Sequence, residues 1–361
     1  MTLTDISNIR LFSQRIAGCE FKTAKEIVSW MGAMQAQDYL MSKWAIGTRL
    51  SNSTNTTVED AIDKGEIIRT NLMRPTWHYV SADDIYWILE LTAPQIKSAM
   101  KSRHFSLELS EDMVSKSKQL VEDALSTGVN LTREELSVEF AKAKIRTNEN
   151  RLSHFLMLAE LEGIICSGKI KDNKVTYALL SERVPNKKLL TREESLAELA
   201  KRYFTSHGPA TVKDFARWSG LSLTDARKGL DFVKSDFISE TIGSDKYWVT
   251  NSFSKIKYDK NSVHLLPAYD EYLIGYRDRS PSLSLIHNKK IVSDNGIFRP
   301  VVVINGLVSG LWKRTTKKNK VALEVNLFQP QNDKVRNQIL ENASMYGKFL
   351  NKDIGVNFTT E

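Results

Sequence analysis

Gly208-Pro209-Ala210-Thr211-Val212-Lys213-Asp214-Phe215-Ala216-Arg217-Trp218-Ser219-Gly220-Leu221-Ser222 is the stretch that decides the fold. Thr211–Ser219 reads as a short helix that stops at Gly220, and a second helix, Leu223–Val233, starts from a Ser222 cap. A glycine between two short helices is where a helix-turn-helix needs its turn. Upstream, Glu193–Thr205 is helical and ends near His207-Gly208-Pro209. Downstream, Phe237–Ile242 and Tyr247–Thr250 form a hairpin around Gly243-Ser244. Helices followed by a β-hairpin give the order of a winged helix-turn-helix.

The same order occurs earlier in the chain. Thr132–Lys142 opens with a Thr132/Glu135 capping box and carries Leu136 and Phe140 on one face. Asn150–Leu161 is a second apolar-faced helix. Ile164–Lys169, a turn at Asp172-Asn173 and Val175–Leu180 complete the pattern. The N-terminal part repeats it with helices over Thr4–Ile16, Thr23–Met34 and Val58–Lys64 and a strand pair at Ile67–Asn71 and Thr76–Val80. Ser81-Ala82-Asp83-Asp84 then caps a helix at Ile85–Leu91 that leads into a helical connection. After Lys260 the texture is of strands: Val263–Leu266, Arg299–Ile304, Leu307–Lys313 and Lys320–Val325. Asn305-Gly306 is a two-residue hairpin turn, and the helix Asp333–Leu350 closes the chain. The expected fold is α+β and predominantly helical, with tandem winged helix-turn-helix units and a C-terminal β-rich element. Its units are residues 1–95, 96–185 (a helical connection and the second winged helix), 186–255 and 256–361. The repeat is one of architecture, not of sequence.

Composition narrows the function classes. The 361 residues hold two or three domains' worth of core at roughly 150 residues per domain. With 41% apolar and 26% charged residues, the chain is neither disordered nor low-complexity. Runs such as Val301–Ile304 fall far short of the roughly 18 apolar residues of a membrane span. Met1–Arg15 has no apolar signal core, so a cytoplasmic protein is expected. Cys19 and Cys166 form no CxxC, and no two histidines stand at metal-ligand spacing, so neither disulfide framework nor metal site is expected. P-loop, GxGxxG, GxSxG and HExxH motifs are missing, which leaves nucleotide cofactors and common hydrolase mechanisms without support. Lys plus Arg, at 51, exceed Asp plus Glu, at 43, giving a formal charge of +8. An excess of that size fits nucleic acid, an anionic membrane surface, or plain solubility.

Trp30-Met31-Gly32-Ala33-Met34-Gln35-Ala36-Gln37-Asp38-Tyr39 stands out. Ile27, Trp30, Met31 and Met34 make an apolar helical face, but on one continuous helix Gln35 and Gln37 would point about 200° apart. Either the helix ends or kinks there and both amides act on one object, or the pair is a solvated polar helix end. Around these residues the chain resembles the AlkZ-type DNA glycosylases, a bacterial family, over nearly its whole length. Gly32–Gln37 is similar to the family's Gln–aliphatic–Gln motif. Arg69–Val80 resembles the Arg-Gly-Thr-x-His segment after the first wing, with Pro75 where a glycine is usual and Trp77 beside His78. Leu265–Arg279 matches the C-terminal signature, and Gly296–Val302 with Gly310-x-Trp312-x-Arg314-Thr315 completes it. A sister branch carries Gln-x-Asp; here Gln37 occupies the second position and Asp38 follows it.

The resemblance implies a monofunctional glycosylase that hydrolyses the N-glycosidic bond of cationic N-alkylated purines, bulky adducts or interstrand crosslinks among them. No cofactor or metal is implied. Gln35 and Gln37 are the expected catalytic pair: an amide carbonyl holds a water, and its NH2 binds a neighbour. Expected DNA contacts are Arg74, His78, Arg277, Arg279, Lys289, Lys290, Arg299, Lys313, Arg314, Lys317 and Lys318. Each basic residue also reads as a solvated surface charge, and His78 as a core histidine. Asp270 and Tyr272 read as scaffold braces, and the stretch between Tyr276 and Phe298 as a hairpin or loop that enters a DNA groove. The expected partner is double-stranded DNA containing alkylated purines, bound by a monomer. A non-catalytic winged-helix transcription regulator is the competing reading; regulators are usually symmetric dimers on palindromes, whereas three unlike units suit an asymmetric wrap. A protein-interaction scaffold is the third.

Overall fold

Threonine caps set where many helices begin. Thr2, Thr23, Thr54, Thr132, Thr191 and Thr211 each accept the backbone N–H three residues on, and the side chain there bonds back to the threonine N–H. The structure is a computed structural model that describes residues 1–172, 174–253 and 262–360. Its first elements are α1 (Leu3–Ser13), α2 (Ala24–Met31), β1 (Met34–Gln35), α3 (Tyr39–Gly47), α4 (Asn55–Asp63), β2 (Ile67–Leu72) and β3 (Thr76–Ser81). Then come α5 (Ile85–Ser106), α6 (Glu111–Leu125), β4 (Leu131–Thr132), α7 (Arg133–Lys142), α8 (Arg151–Leu161), β5 (Ile165–Ser167), β6 (Thr176–Leu179) and α9 (Leu180–Arg183). The third stretch is α10 (Arg192–His207), α11 (Val212–Ser219), α12 (Leu223–Val233), β7 (Phe237–Ile242) and β8 (Asp245–Thr250). The last is β9 (Val263–Leu266), α13 (Glu271–Ile274), α14 (Asn288–Ile291), β10 (Val301–Ile304), β11 (Leu307–Thr316), β12 (Lys320–Leu327), α15 (Asp333–Leu350) and β13 (Asp353–Thr360).

Helix takes 49% and strand 21%, a mixed fold with helix the larger share. Strand orders are β1-β3-β2, β4-β6-β5, β7-β8 and β13-β12-β11-β10-β9. Gly220 holds a left-handed conformation (φ +73°) between α11 and α12, and an added Cβ there would stand 2.1 Å from the Met73 carbonyl oxygen. The turn and the packing both require glycine. Of the expected turn at Asp172-Asn173, Asn173 lies outside the described residues, as does the proposed boundary at 255/256.

Two expectations change in kind. The helix expected over Thr23–Met34 ends at Met31, because Gly32 turns the chain at φ +76° and packs its Cα face on Trp218. The chain does not close with α15: β13 follows and pairs parallel to β12, with Ile354, Val356 and Phe358 packed on the core. The connection after β3 is one helix of 22 residues, α5, and α6 behind it.

Apolar contacts run between distant parts of the sequence. One core joins α2, α3 and α4 to the C-terminal sheet and α15, where Trp44 lies 5.0 Å from Tyr346 and 5.2 Å from Phe349. The buried indoles of Trp44 and Trp312 donate to the Leu265 and Leu266 carbonyls (2.9 and 2.8 Å). A second core packs β2, β3 and α5 against α10, α11 and α12. A third lies within α6, α7, α8 and β5. Residues on the N-terminal strands are thus pressed between later elements, which is what builds the site.

Glu160 ties α8 to that centre. Its buried carboxyl accepts from the Asn71 amide of β2, and burial, only partly offset by Asn71 and Arg69, pushes it from the ordinary 4.5 up to about 7. With the folded value above the unfolded one, stability from the held proton is present below about pH 4.5 and is lost as pH rises through 7. Glu160→Gln removes this titration. Its melting temperature relative to the parent should climb between pH 5 and pH 8; a constant offset would contradict the assignment.

Candidate active site

β1 is two residues long and decides the site. Met34 and Gln35 pair antiparallel with Tyr79 and His78 of β3, and the Ala36 N–H continues the pairing to the Trp77 carbonyl (2.8 Å). Gln35 and Gln37 are therefore not on a helix. Gln35 is buried, its carbonyl oxygen 3.4 Å from the Thr76 hydroxyl, and Gln37 is exposed just before α3. Asp38 spends one carboxylate oxygen capping α3, accepting from the Leu40 and Met41 N–H groups (3.1 and 3.0 Å). Arg69 fixes the other side of the strand: its Nε donates to the Ala36 carbonyl at 3.0 Å, and its guanidinium lies 4.4 Å over the Trp77 ring.

Behind Gln35 sits a carboxylate with no exposure to speak of. Glu271 Oε1 accepts the Gln35 N–H at 2.7 Å, and Oε2 accepts the Trp218 indole N–H at 3.1 Å with His207 Nε2 3.5 Å away. Burial alone would raise this carboxyl; the His207 and Gln35 contacts outweigh it and hold it below the usual carboxylate range. Glu271 was legible only as part of the Leu265–Arg279 signature. Its partners lie 236 and 53 residues away, so no local pattern marks its role.

Asp270, one residue earlier, anchors the Leu265–Arg279 segment, a strap that runs from β9 across α13. Its carboxylate takes both ends of the Arg49 fork (2.7 and 2.8 Å) and caps α13 through the Tyr272 N–H (2.9 Å). Gln14 of α1 bonds Arg49, the Glu271 carbonyl and the Tyr276 hydroxyl together. Tyr272 donates its hydroxyl toward the Gly306 carbonyl at 2.6 Å. Both expected braces are thus fully hydrogen-bonded inside the protein.

The expected DNA contacts divide. His78 is fully buried, and burial with nearby Arg74 lowers it to about 4, so the ring is neutral. Its Nδ1 bonds the Thr76 carbonyl at 2.9 Å, which makes Nδ1 the donor and leaves Nε2 a buried acceptor without a partner. This burial is that of a core histidine. Arg74 follows Met73, which stands at φ +60° in the tight Leu72–Pro75 turn, where Pro75 resumes the strand. Arg74 and Arg279 approach each other; Arg277 is exposed beside them. Lys289 and Lys290 lie on α14, and Arg299 is exposed just before β10. Lys313 on β11 pairs with Glu324 at 2.7 Å, Arg314 reaches the Tyr346 hydroxyl, and Lys317 and Lys318 are exposed in the β11–β12 turn. These seven belong to the C-terminal sheet and its loops, not to the Gln35 pocket. Among the described residues no group of three or more His, Cys, Asp or Glu could hold a metal ion, and no helix is long and apolar enough to cross a membrane.

The site is thus a buried amide on a strand edge whose backbone N–H is held by the Glu271 carboxylate. The model of the AlkZ-like DNA glycosylases matches residues 28–349, and the chain belongs to this family. It is a DNA glycosylase. A curated relative, the interstrand DNA cross-link repair glycosylase of Streptomyces sahachiroi, is 24% identical over 305 residues, covering 81% of this chain and 82% of the relative. The solved structure of Streptomyces sahachiroi DNA glycosylase AlkZ superposes with a TM-score of 0.83 at 21% identity, over 99% of this chain and all of that one. That likeness is one of fold. Membership in a family of enzymes sets aside the regulator and the scaffold.

The strap gives a stability test. Asp270→Asn removes the one carboxylate that, among the described residues, pairs with Arg49, at a site 0% and 1% exposed, and should cost roughly 3–5 kcal/mol in urea unfolding. A loss below about 1 kcal/mol, the range of a surface pair, would show that the strap does not depend on this ion pair.

Proposed function

We propose that the enzyme excises cationic N-alkylated purines, N7-alkylguanine above all, from duplex DNA and leaves an abasic site without cutting the strand. Bulky adducts and crosslinks through the same atom fall within this chemistry, since they share the cationic leaving group. The observation that carries the reading is Gln35, a buried amide whose backbone is locked to Glu271 while Gln37 stands exposed two residues on.

An alkylated purine cation needs no strong general acid to leave. What the protein must supply is a placed water and a field that tolerates positive charge on the sugar. β1 ends at Gln35 and the chain bends at Gln37; in this reading the amide oxygens of the two orient one water toward C1′. Its oxygen bonds to C1′, the C1′–N9 electron pair passes into the purine and discharges its cation, and the surplus proton goes to solvent. Glu271, ionised behind Gln35, adds negative potential where the sugar becomes an oxocarbenium ion. It acts through Gln35 as a positioning residue. No lysine nucleophile is required, and the strand stays intact.

The architecture suits this task. The N-terminal part, α7–β6 and α10–β8 act as tandem winged helix-turn-helix units, which with the C-terminal sheet make the four units 1–95, 96–185, 186–255 and 256–361. They wrap one damaged duplex as a monomer, in the cytoplasm at the nucleoid. The relative's cross-link repair activity and the basic residues on α14, the β11–β12 turn and the loop from Arg277 to Arg299 support the same reading.

Single-turnover excision on a duplex holding one N7-alkylguanine tests it, with heat or alkali revealing abasic sites. Gln35→Ala/Gln37→Ala should lose at least about a hundredfold in rate, the scale of a misplaced reacting group, while binding undamaged DNA like the parent. Unchanged excision in the double variant would remove both residues from the mechanism.

A further inference from the structure

The row Asp214, Arg217 and Gly220 runs along one side of α11 and its exit turn at three-residue spacing. At one end, Asp214 Oδ1 accepts the backbone N–H groups of Arg277 and Asp278 (2.8 and 3.3 Å), which brings Arg279 to the helix. At the other, Gly220 touches the Met73–Arg74 turn: a Cβ on it would meet the Met73 carbonyl at 2.1 Å and Arg74 Cγ at 3.6 Å. Arg217, exposed, lies on α11 between these two contact points and is close enough to Arg74 and Arg279 to repel both. Three guanidinium groups from three parts of the chain therefore converge next to β3.

Asp214, Asp278 and Glu271 lie near enough to offset their charges only in part. Among the described residues none of the three makes an ion pair. Arg74 Nε and Nη2 are buried without a hydrogen-bond partner. Arg279 places its Nε on the Leu273 carbonyl (2.9 Å) and lies 4.8 Å over the Phe298 ring, neither of which supplies a negative charge. The nearby carboxylates are already committed. Asp214 holds backbone N–H groups and Thr211, Asp278 holds Ser280, and Glu271 holds Gln35 and Trp218. Burial and mutual repulsion lower the Arg279 guanidinium to about 10, with Arg217 and Arg74 the repelling neighbours. Three crowded cations with unused donors are a site for a tetrahedral oxyanion, which guanidinium forks bind in paired bonds.

We infer that Arg74, Arg217 and Arg279 clamp a single backbone phosphodiester, the one beside the damaged nucleotide. The position follows from the chain: Arg74 is two residues from Thr76, whose hydroxyl meets the Gln35 amide oxygen. A phosphate fixed there sets where along the strand C1′ presents itself to Gln35 and Gln37. Arg217 gave no signal in the sequence beyond its charge, because the turn and the strap that flank it come from other parts of the chain. This inference rests on the glycosylase reading for its register but not for its existence.

The test is binding, read separately from excision. The full chain and Arg217→Ala, a surface substitution on α11, are titrated with an undamaged duplex over a salt series. The variant should bind about tenfold more weakly at 0.1 M salt, and the slope of log K against log salt should fall by less than the roughly 0.9 of a whole phosphate contact, because Arg74 and Arg279 still hold it. Duplexes bearing a neutral methylphosphonate at successive positions around an N7-alkylguanine then locate it. At one position beside the lesion the neutral linkage should weaken the parent more than it weakens the variant, and at every other position the two should lose equally. Parent-like affinity and slope in Arg217→Ala, or additive losses at every position, would overturn the clamp. Competition by inorganic phosphate at matched ionic strength without any such position would also overturn it, since the site would then take a free anion and not DNA. Abolished excision with the coupling intact would keep the clamp, and failed excision in the parent would count against the glycosylase reading alone.

Discussion

The Arg49 guanidinium has five N–H donors to place inside a protein that gives it no water. All five are placed: on the Gln14 carbonyl and amide oxygens, on the Ala45 carbonyl, and on both oxygens of Asp270. Removing either partner of such a buried pair leaves a charge without an answer, so the pair fixes its surroundings firmly even if its net stabilisation is modest. What it fixes is the start of α13, and with it the direction in which Glu271 points. Gln14 extends the grip to α1 and Tyr276, and Tyr272 extends it to the turn after β10. The N-terminal helices, α11 and the C-terminal sheet meet at these few residues.

The consequence for chemistry is rigidity in a part of the chain with little regular structure. A two-residue strand is a weak holder of a catalytic side chain. Here its backbone N–H is bonded to an ionised carboxylate, and that carboxylate is itself held by an indole and an imidazole. An amide cannot act as a strong base; its contribution is the placement of a water, which loses value steeply with small errors of position. The surroundings of Gln35 supply that placement from residues that never touch the substrate. His78, neutral and with Nε2 an unused acceptor, belongs to the same inner wall.

Much of the secondary structure was legible. Caps and turn residues put α12, β7, β9 and α15 at their observed bounds, and Gly220 was placed in its turn. Where reading failed, the reasons were local at one end of the chain and long-range at the other. Gly32 stops α2 three residues before the apolar face runs out, because Met34 belongs to a strand that shares its apolar character. β13 carries a plain two-residue alternation, Ile354, Val356 and Phe358, yet its parallel pairing with β12 across α15 is a long-range event. For the site, the two glutamines stood out by spacing and resemblance. Glu271 and Arg217 did not, since each acquires its meaning from partners that only folding brings near. The basic residues were visible as charge, but charge carries no position: Arg74 and Arg279 come together, while Lys313 is paired with Glu324 across a sheet.

The most direct test of the account is a crystal structure with a duplex containing N7-methyl-2′-fluoro-2′-deoxyguanosine, whose fluorine slows cleavage of the glycosidic bond. The account predicts one ordered water hydrogen-bonded to the Gln35 and Gln37 amide oxygens and lying in line with the C1′–N9 bond, with the Gln35 N–H still on Glu271. A complex in which the modified sugar sits elsewhere, with no water between C1′ and these two amides, would contradict it.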